Sequence, residues 1–335
     1  MAERTLVTGG RGFIGSHLVR RLREQGEPVR VLDVAPPPND PLDAQYVQGS
    51  VTDPAAVREA MRGCDRLYHL AGNAHLWNRD RGIYDRVIHQ GTRTVLAAAR
   101  ELGVQRVVHT STHAIVHAGN RADDMPGPYF RAKFLAEQAA RQAADAGLPV
   151  VIISPTLPIG PGDHRLTPPS RMLLGYLNGE LPGYLESALD LADVRDVAEG
   201  HLLAAERGRA GERYILGGRS VQLSTLLRTL GELTGLGMPR LRVPYPLALA
   251  VSAVQQFVAD HVTHRPPQST LCGVRTAAHP ADASAIAADR DRLGLAVRPL
   301  EQSLADTVHW FADAGLLKRQ PREMPGARRQ ADSLV

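Results

Sequence analysis

A glycine-rich octet, Thr8-Gly9-Gly10-Arg11-Gly12-Phe13-Ile14-Gly15, directly follows the short apolar run Thr5-Leu6-Val7. It opens a segment from Phe13 to Glu24 in which Phe13, Ile14, Leu18, Val19 and Leu22 recur at helical spacing. Strand, tight turn and helix in that order make a cradle for a dinucleotide. Without a Cβ, the glycine backbone can approach a pyrophosphate closely. The helix then offers its first N–H groups and a partial positive charge to that anion. The octet fits two templates: Gly10, Gly12 and Gly15 match G-x-G-x-x-G, and Gly9, Gly12 and Gly15 match G-x-x-G-x-x-G. A glycine-rich turn between any strand and helix reads the same way, so context has to decide. A second apolar run, Val29-Arg30-Val31-Leu32, ends in Asp33, 24 positions after Gly9. A carboxylate near that offset binds a ribose 2′-hydroxyl and repels a 2′-phosphate, which favours NAD over NADP. The plainer reading of Asp33 is a strand-end turn residue before Pro36-Pro37-Pro38.

Strands and helices alternate through the first half. The pattern predicts strands over Thr5–Thr8, Val29–Asp33, Gln45–Gln48, Arg66–Leu70, Arg106–Thr110 and Pro149–Ile153, with helices over Phe13–Gln25, Pro54–Arg62, Asp80–Leu102 and Gly127–Ala146. Such alternation specifies an α/β fold, a Rossmann-type doubly wound parallel sheet with helices on both faces. Asp53 before Pro54 is a helix start, carboxylate cap then proline. Beyond Ser154 the texture changes, as Pro155, Pro158, Pro161, Pro168, Pro169 and Pro182 break up the chain. The expected organisation is a dinucleotide-binding domain over 1–153 and a smaller, loop-rich, mainly substrate-binding region over 154–317, some of whose segments return to the sheet. Residues 318–335 read as a disordered basic tail.

The formal charge of the 335 residues is only +4, and arginines are dispersed without interleaved aromatics, so nucleic acid is not an expected partner. Two cysteines, Cys64 and Cys272, are too few for a disulfide framework or a metal cage. The chain starts almost at once on a strand, with no signal peptide, and a cytoplasmic location is expected. No apolar run reaches the ~18 residues of a membrane span. The longest candidate, Tyr245–Val262, is interrupted by Ser252, Gln255, Gln256 and Asp260. It reads as an amphipathic helix covering a substrate cavity or core, with membrane contact the lesser alternative.

Tyr129 and Lys133 stand four apart in a predicted helix, on one face. A lysine ammonium there favours the phenolate and lowers the tyrosine pKa from about 10 toward the range of an acid–base catalyst. Before that helix, the fifth strand ends in Thr110-Ser111-Thr112, where ligands meet open parallel sheets. Alternation does not decide which of the three hydroxyls faces the cleft. His69, His75, His89, His109, His113 and His117 cluster in sequence, but their spacing is not that of metal ligands, and no metal is expected. Asn73, His75 and Trp77 follow the fourth strand, and His113 follows the fifth; all four are candidates to line a substrate pocket.

The octet, His69-Leu70-Ala71-Gly72, Thr110-Ser111-Thr112 and Tyr129-x-x-x-Lys133 together resemble the extended short-chain dehydrogenase/reductases of the NAD-dependent epimerase/dehydratase family. The chain is most similar there to the hopanoid-associated sugar epimerase and dihydroflavonol-reductase-like group. The likeness continues through Pro155-Thr156-Leu157-Pro158-Ile159-Gly160-Pro161, Asp196-Val197-Ala198-Glu199-Gly200-His201 and Phe257-Val258-Ala259-Asp260-His261-Val262-Thr263, covering about residues 4–315. The resemblance implies that Gly9, Gly12, Phe13 and Ile14 hold the pyrophosphate and Asp33 the adenosine ribose. Ser50 and Val51 lie by the adenine, and Leu70, Ala71, Gly72, Thr110, Pro155 and Thr156 line the cofactor. It selects Thr112 as the catalytic hydroxyl, Tyr129 as acid–base, and Lys133 as the group that binds the nicotinamide ribose and lowers the tyrosine pKa.

Three departures stand out. Ser50 replaces the family's usual adenine-binding aspartate, Ile88 replaces its usual active-site asparagine, and the 17-position step from Thr112 to Tyr129 is short. The implied activity is an NAD-dependent oxidoreductase passing hydride between nicotinamide and a secondary alcohol or ketone carbon of a small substrate. An NAD-retaining nucleotide-sugar epimerase and a non-catalytic cofactor-binding protein are the alternatives. The resemblance also implies a homodimer through the Asp80–Leu102 and Gly127–Ala146 helices.

Overall fold

The computed structural model describes residues 4–38, 44–116, 118–278 and 281–322. His117 and residues 323–335, most of the expected basic tail, lie outside the described residues. Seven parallel strands form the central sheet. In chain order the first six are β1 (Thr5–Thr8), β2 (Val29–Asp33), β3 (Gln45–Gln48), β4 (Arg66–His69), β5 (Arg106–Thr110) and β6 (Val150–Pro155). The seventh, Arg213–Leu216, returns from the later half to pair with β6, giving the order Arg213–Leu216, β6, β5, β4, β1, β2, β3. The order reverses between β1 and β4, the crevice where open α/β sheets bind ligands.

Parallel crossovers usually run through a covering helix. Helix α1 (Phe13–Glu24) and helix Val194–Arg207 bury one face of the sheet with Val7, Val31, Tyr68, Val108, Val151 and Ile153. Helix α2 (Pro54–Met61) and helices Gly91–Glu101 and Pro128–Asp145 bury the other with Leu6, Leu32, Leu67, Val107, Val150 and Ile152. Successive strand residues alternate between these two layers, as the pleat requires. Asp53 caps α2 as its sequence position predicts, accepting from the Ala55 N–H at 2.8 Å. The predicted 80–102 helix runs as Gly82–Tyr84, a π-helical turn at Asp85–Gln90, and Gly91–Glu101. The extra residue in that turn sits beside the cleft, where such bulges concentrate.

A smaller body follows β6. Leu157–Ile159, Ala188–Asp193 and Arg219–Gln222 form a three-stranded sheet, and Pro168–Leu177, Leu223–Thr234 and Leu300–Asp313 cover it with Leu173, Leu177, Leu226, Leu230 and Phe311. Helix Tyr245–Val258 does not cover a cavity or core as its pattern suggests. Leu247, Val254 and Phe257 face outward, and of its residues only Ser252 is buried. No helix of the described residues is long and apolar enough to cross a membrane.

Candidate active site

The glycine turn is built by backbone crowding. Gly9 has φ +74° and lies against Ala71; an added Cβ would come within 2.7 Å of the Ala71 nitrogen. A Cβ on Gly15 would overlap the Gly9 carbonyl, whereas one on Gly10 would meet only side-chain methyls, those of Val31 and Val19. Backbone cannot retreat as a side chain can, which singles out the Gly9-Gly12-Gly15 spacing. The Gly12 N–H donates to the Gly9 carbonyl at 2.9 Å, and no side chain caps α1. The first turn of α1 therefore keeps N–H groups for an anion.

Asp33 ends β2 beside this turn, its carboxylate accepting from the Arg11 N–H at 2.9 Å and the Ala35 N–H at 3.0 Å. A carboxylate accepts about four hydrogen bonds, so room remains for a ribose hydroxyl. Ser50 is turned to its own loop, its Oγ 2.8 Å from Thr52 Oγ1, while Val51 is buried against Gly91. Leu70 donates its N–H to the Thr8 carbonyl at 3.0 Å, which lays Leu70-Ala71-Gly72 along the turn. Pro155 and Thr156 leave the adjoining strand, the Thr156 N–H reaching the Leu216 carbonyl at 3.0 Å. A Cβ-free cradle, an uncapped helix start and a carboxylate at the β2 end fit a dinucleotide.

The three hydroxyls at the β5 exit point three ways. Thr110 Oγ1 lies 2.9 Å from His201 Nε2 on helix Val194–Arg207. Ser111 Oγ donates to Glu137 Oε2 at 2.6 Å, toward the opposite layer. Thr112 lies on the Tyr129 side, where its hydroxyl pulls the phenol's pKa down against the larger effect of burial. Thr112 is therefore the hydroxyl that meets the tyrosine. Tyr129 and Lys133 project from the first turns of helix Pro128–Asp145, with Pro128 at its first position.

Burial pushes the Tyr129 phenol up to about 12 and the Lys133 ammonium down to about 8. Lys133 Nζ donates to the Thr110 carbonyl at 2.8 Å and stands near Gly72. The lowered phenol expected from the tyrosine–lysine spacing is not what this pocket produces. Lys133 is engaged by the Thr110 carbonyl, and desolvation of the phenolate outweighs the favourable effect of the Thr112 hydroxyl.

Behind these residues lies a polar layer that the motifs did not announce. Thr92 Oγ1 donates to the Ile88 carbonyl at 2.5 Å, so His69 Nε2, 2.9 Å away, donates to Thr92. His69 Nδ1 then accepts from Thr8 Oγ1 at 2.7 Å, and Thr8 Oγ1 accepts from the Ala71 N–H at 3.3 Å. Burial lowers His69 to about 3 and His201 to about 4, so both are neutral spacers and not acids. The His109 ring lies 5.5 Å from His69, and burial likewise keeps it well below its ordinary value. Glu137 is buried and also accepts from Arg141 Nη2 at 3.0 Å and Arg213 Nε at 2.9 Å, tying the helix to the sheet edge. Signals for the partners drawn from different elements were faint in sequence because their separations run from 23 to 91 positions.

Ile88, at the position where the resemblance expects asparagine, is buried with Tyr84, Ala132 and Ala136, and Tyr129 packs against them. Apolar packing replaces a polar side chain under the phenol. The short 113–127 loop closes on its own apolar centre, with Ile115 and Met125 packed against Phe130 and Cys272. Of the candidate pocket residues, Asn73 turns its Oδ1 to the His75 N–H at 3.1 Å. His75 is lowered chiefly by burial and then by Arg171, across the cleft in the smaller body. The Trp77 indole donates to Asp260 at 2.7 Å, a link between distant segments that sequence reasoning missed. His113 is buried at the β5 exit. Among the described residues no three His, Cys, Asp or Glu side chains converge as metal ligands.

The profile of the NAD dependent epimerase/dehydratase family matches residues 5–217, the span from β1 through the last strand of the central sheet. The chain is 39% identical over 338 aligned positions to the putative dihydroflavonol 4-reductase of Synechocystis sp., covering 96% of this chain and 98% of that one. It is 32% identical to sterol demethylase protein B of Methylococcus capsulatus, covering 93% and 99% of the two chains. The crystal structure of gox2253 superposes with a TM-score of 0.79 at 32% identity, over 94% of this chain and 100% of that one. By its fold, its glycine cradle and these likenesses, the chain is an enzyme of the NAD dependent epimerase/dehydratase family, in the extended short-chain dehydrogenase/reductase group.

Proposed function

We propose that the enzyme interconverts a secondary alcohol and a ketone on a small substrate, with Tyr129 as the acid–base. The observation that carries this reading is the buried phenol of Tyr129, placed close enough to the Thr112 hydroxyl at the exit of a central strand for that hydroxyl to favour its ionised form, beside the glycine cradle. Bound NAD would supply the redox chemistry, held by Gly9, Gly12, Phe13 and Ile14 at its pyrophosphate and by Asp33 at its adenosine ribose. Ser50 and Val51 would flank the adenine. Leu70, Ala71, Gly72, Thr110, Pro155 and Thr156 would line the remainder, and Lys133 would hold the nicotinamide ribose.

Thr112 orients the substrate oxygen and Tyr129 Oη transfers the proton at that oxygen. The raised phenol stays protonated through neutral pH, which is the form that donates to a carbonyl oxygen as it becomes a hydroxyl. Lys133 places a cation on the turn behind the phenol and fixes the Thr110 carbonyl. Ile88 and Tyr84 pack apolar surface beneath Tyr129 and keep water from its inner side. Replacing the phenolic oxygen tests the assignment. Tyr129→Phe should lower kcat by ~10²–10⁴-fold while leaving NAD-induced thermal stabilisation in place, since the oxygen acts on the proton and not on the cradle. Turnover within about tenfold of the native enzyme removes Tyr129 from the role.

The family also contains epimerases by name, which supports a second reading, NAD-retaining epimerisation of a nucleotide sugar by the same residues. Stoichiometry separates the two. The proposed oxidoreductase changes nicotinamide absorbance mole for mole with substrate, and an epimerase leaves it unchanged.

A further inference from the structure

Ten large apolar side chains are exposed in the described residues, and eight of them fall between positions 241 and 262. Exposed apolar patches of this kind mark interaction surfaces. Most belong to helix Tyr245–Val258 and the turn Ala259–Thr263 that continues it. Leu247, Val251, Val254, Phe257 and Val262 recur along one outward stripe, with Val254 64%, Phe257 61% and Val262 67% exposed. A shallow groove between Ala250, Val251 and Val254 runs along it.

The polar residues of the same helix point into the protein. Ser252 Oγ meets Ser269 Oγ at 3.0 Å, Gln255 Oε1 accepts from the Ser269 N–H at 2.9 Å, and Gln256 Oε1 accepts from the Leu271 N–H at 3.2 Å. The amphipathic pattern is thus mounted with its apolar side to the outside. In water that arrangement exposes hydrocarbon at every turn, which suits the stripe to an apolar occupant.

Charge says which occupant. Arg240 and Arg242 stand exposed before the helix, and His264 and Arg265 stand exposed after it. Between Arg240 and Arg265 the one acidic residue is Asp260, already bonded to Trp77 and Arg81. Docking the stripe on a second copy, parallel or antiparallel, would set arginine against arginine. Residues 323–335 carry Arg328 and Arg329 and few large apolar side chains, so they do not complement it either. An apolar stripe flanked at both ends by cations matches the surface of an anionic bilayer, where the hydrocarbon is buried at the acyl boundary and the arginines meet the headgroups.

We propose that this face docks the enzyme on anionic lipid membranes, with helix Tyr245–Val258 lying in the interface plane. Asp260 joins the end of this face to Trp77 and Arg81, which follow β4 at the rim of the candidate pocket. Docking therefore sets that rim beside the lipid surface.

Flotation of the full chain with vesicles of phosphatidylcholine and phosphatidylglycerol in a two-to-one ratio tests the proposal, with pure phosphatidylcholine vesicles alongside. The native chain should float with the anionic vesicles and at least about tenfold less with the neutral ones. The double substitution Val254→Glu, Phe257→Glu should reduce flotation by about tenfold or more, and Arg240→Gln with Arg242→Gln should weaken it several-fold. All these positions are exposed, so thermal melts of the variants should match the native chain. Three results overturn the proposal: native protein that stays at the bottom with both vesicle types; a glutamate variant that floats like the native chain; or a native dimer that the glutamate pair splits, which would make the stripe a contact between copies.

Discussion

Lys133 is the residue whose environment conflicts most with its chemistry. The buried Lys133 amine loses its proton above about 8, whereas the unfolded chain keeps it to near 10.5. Between those values the unfolded state binds more protons, so this residue's contribution makes the fold more stable as pH rises through that window. Lys133→Met should therefore be more stable than the native chain at pH 7, with an advantage that shrinks by pH 10. Chemical denaturation at the two pH values measures it, and an advantage that grows with pH contradicts the burial account. At this scale the Tyr129–Lys133 pair was legible in the sequence because both lie on one helix, where spacing alone sets the face. The direction of the Tyr129 shift was not, since it depends on how much water the fold leaves at the phenol.

Helix Pro128–Asp145 is fastened to its neighbours by one carboxylate. Glu137 receives Ser111 at 2.6 Å, Arg141 of its own helix and Arg213 from the sheet edge. Removing that carboxylate leaves the buried Ser111 hydroxyl without its acceptor, while the partly exposed arginines can turn to water, at a cost of about 1–3 kcal/mol. Glu137→Ala should show a loss of that order in denaturant unfolding, and a loss below about 1 kcal/mol would make the cluster incidental. Element boundaries in the first half could be read closely from the sequence, because caps and turns are local chemistry: Asp53 with Pro54, Gly9 after β1. Helix Tyr245–Val258 was misread for a definite reason. Periodicity reveals that a helix has two sides, but which side turns inward depends on Ser269 and Leu271, segments that no pattern within the helix contains.

Across the whole molecule the parallel sheet and its reversal point followed from the alternation of strands and helices, and the return of Arg213–Leu216 to the sheet edge was foreseen only in kind. The cradle at the reversal point leads to a ligand prediction. A dinucleotide that binds only the folded state raises its stability by about 2.7 kcal/mol at a hundred times its dissociation constant. Saturating NAD should raise the melting temperature, and NADP should raise it less, if Asp33 takes the proposed place at the ribose that carries the extra phosphate. Equal shifts from the two would remove Asp33 from that role.

The fan of hydroxyls at the end of β5 has a consequence for how this chain can vary. Thr110, Ser111 and Thr112 are nearly alike in chemistry, yet each is addressed to a different neighbour by its place in the pleat. Deleting or inserting one residue upstream in β5 would keep the composition and the ladder of the sheet but pass every hydroxyl to the wrong face. Strand five thus has a reading frame, and the segment should tolerate substitution at Val107 or Val108 far better than any change in its length.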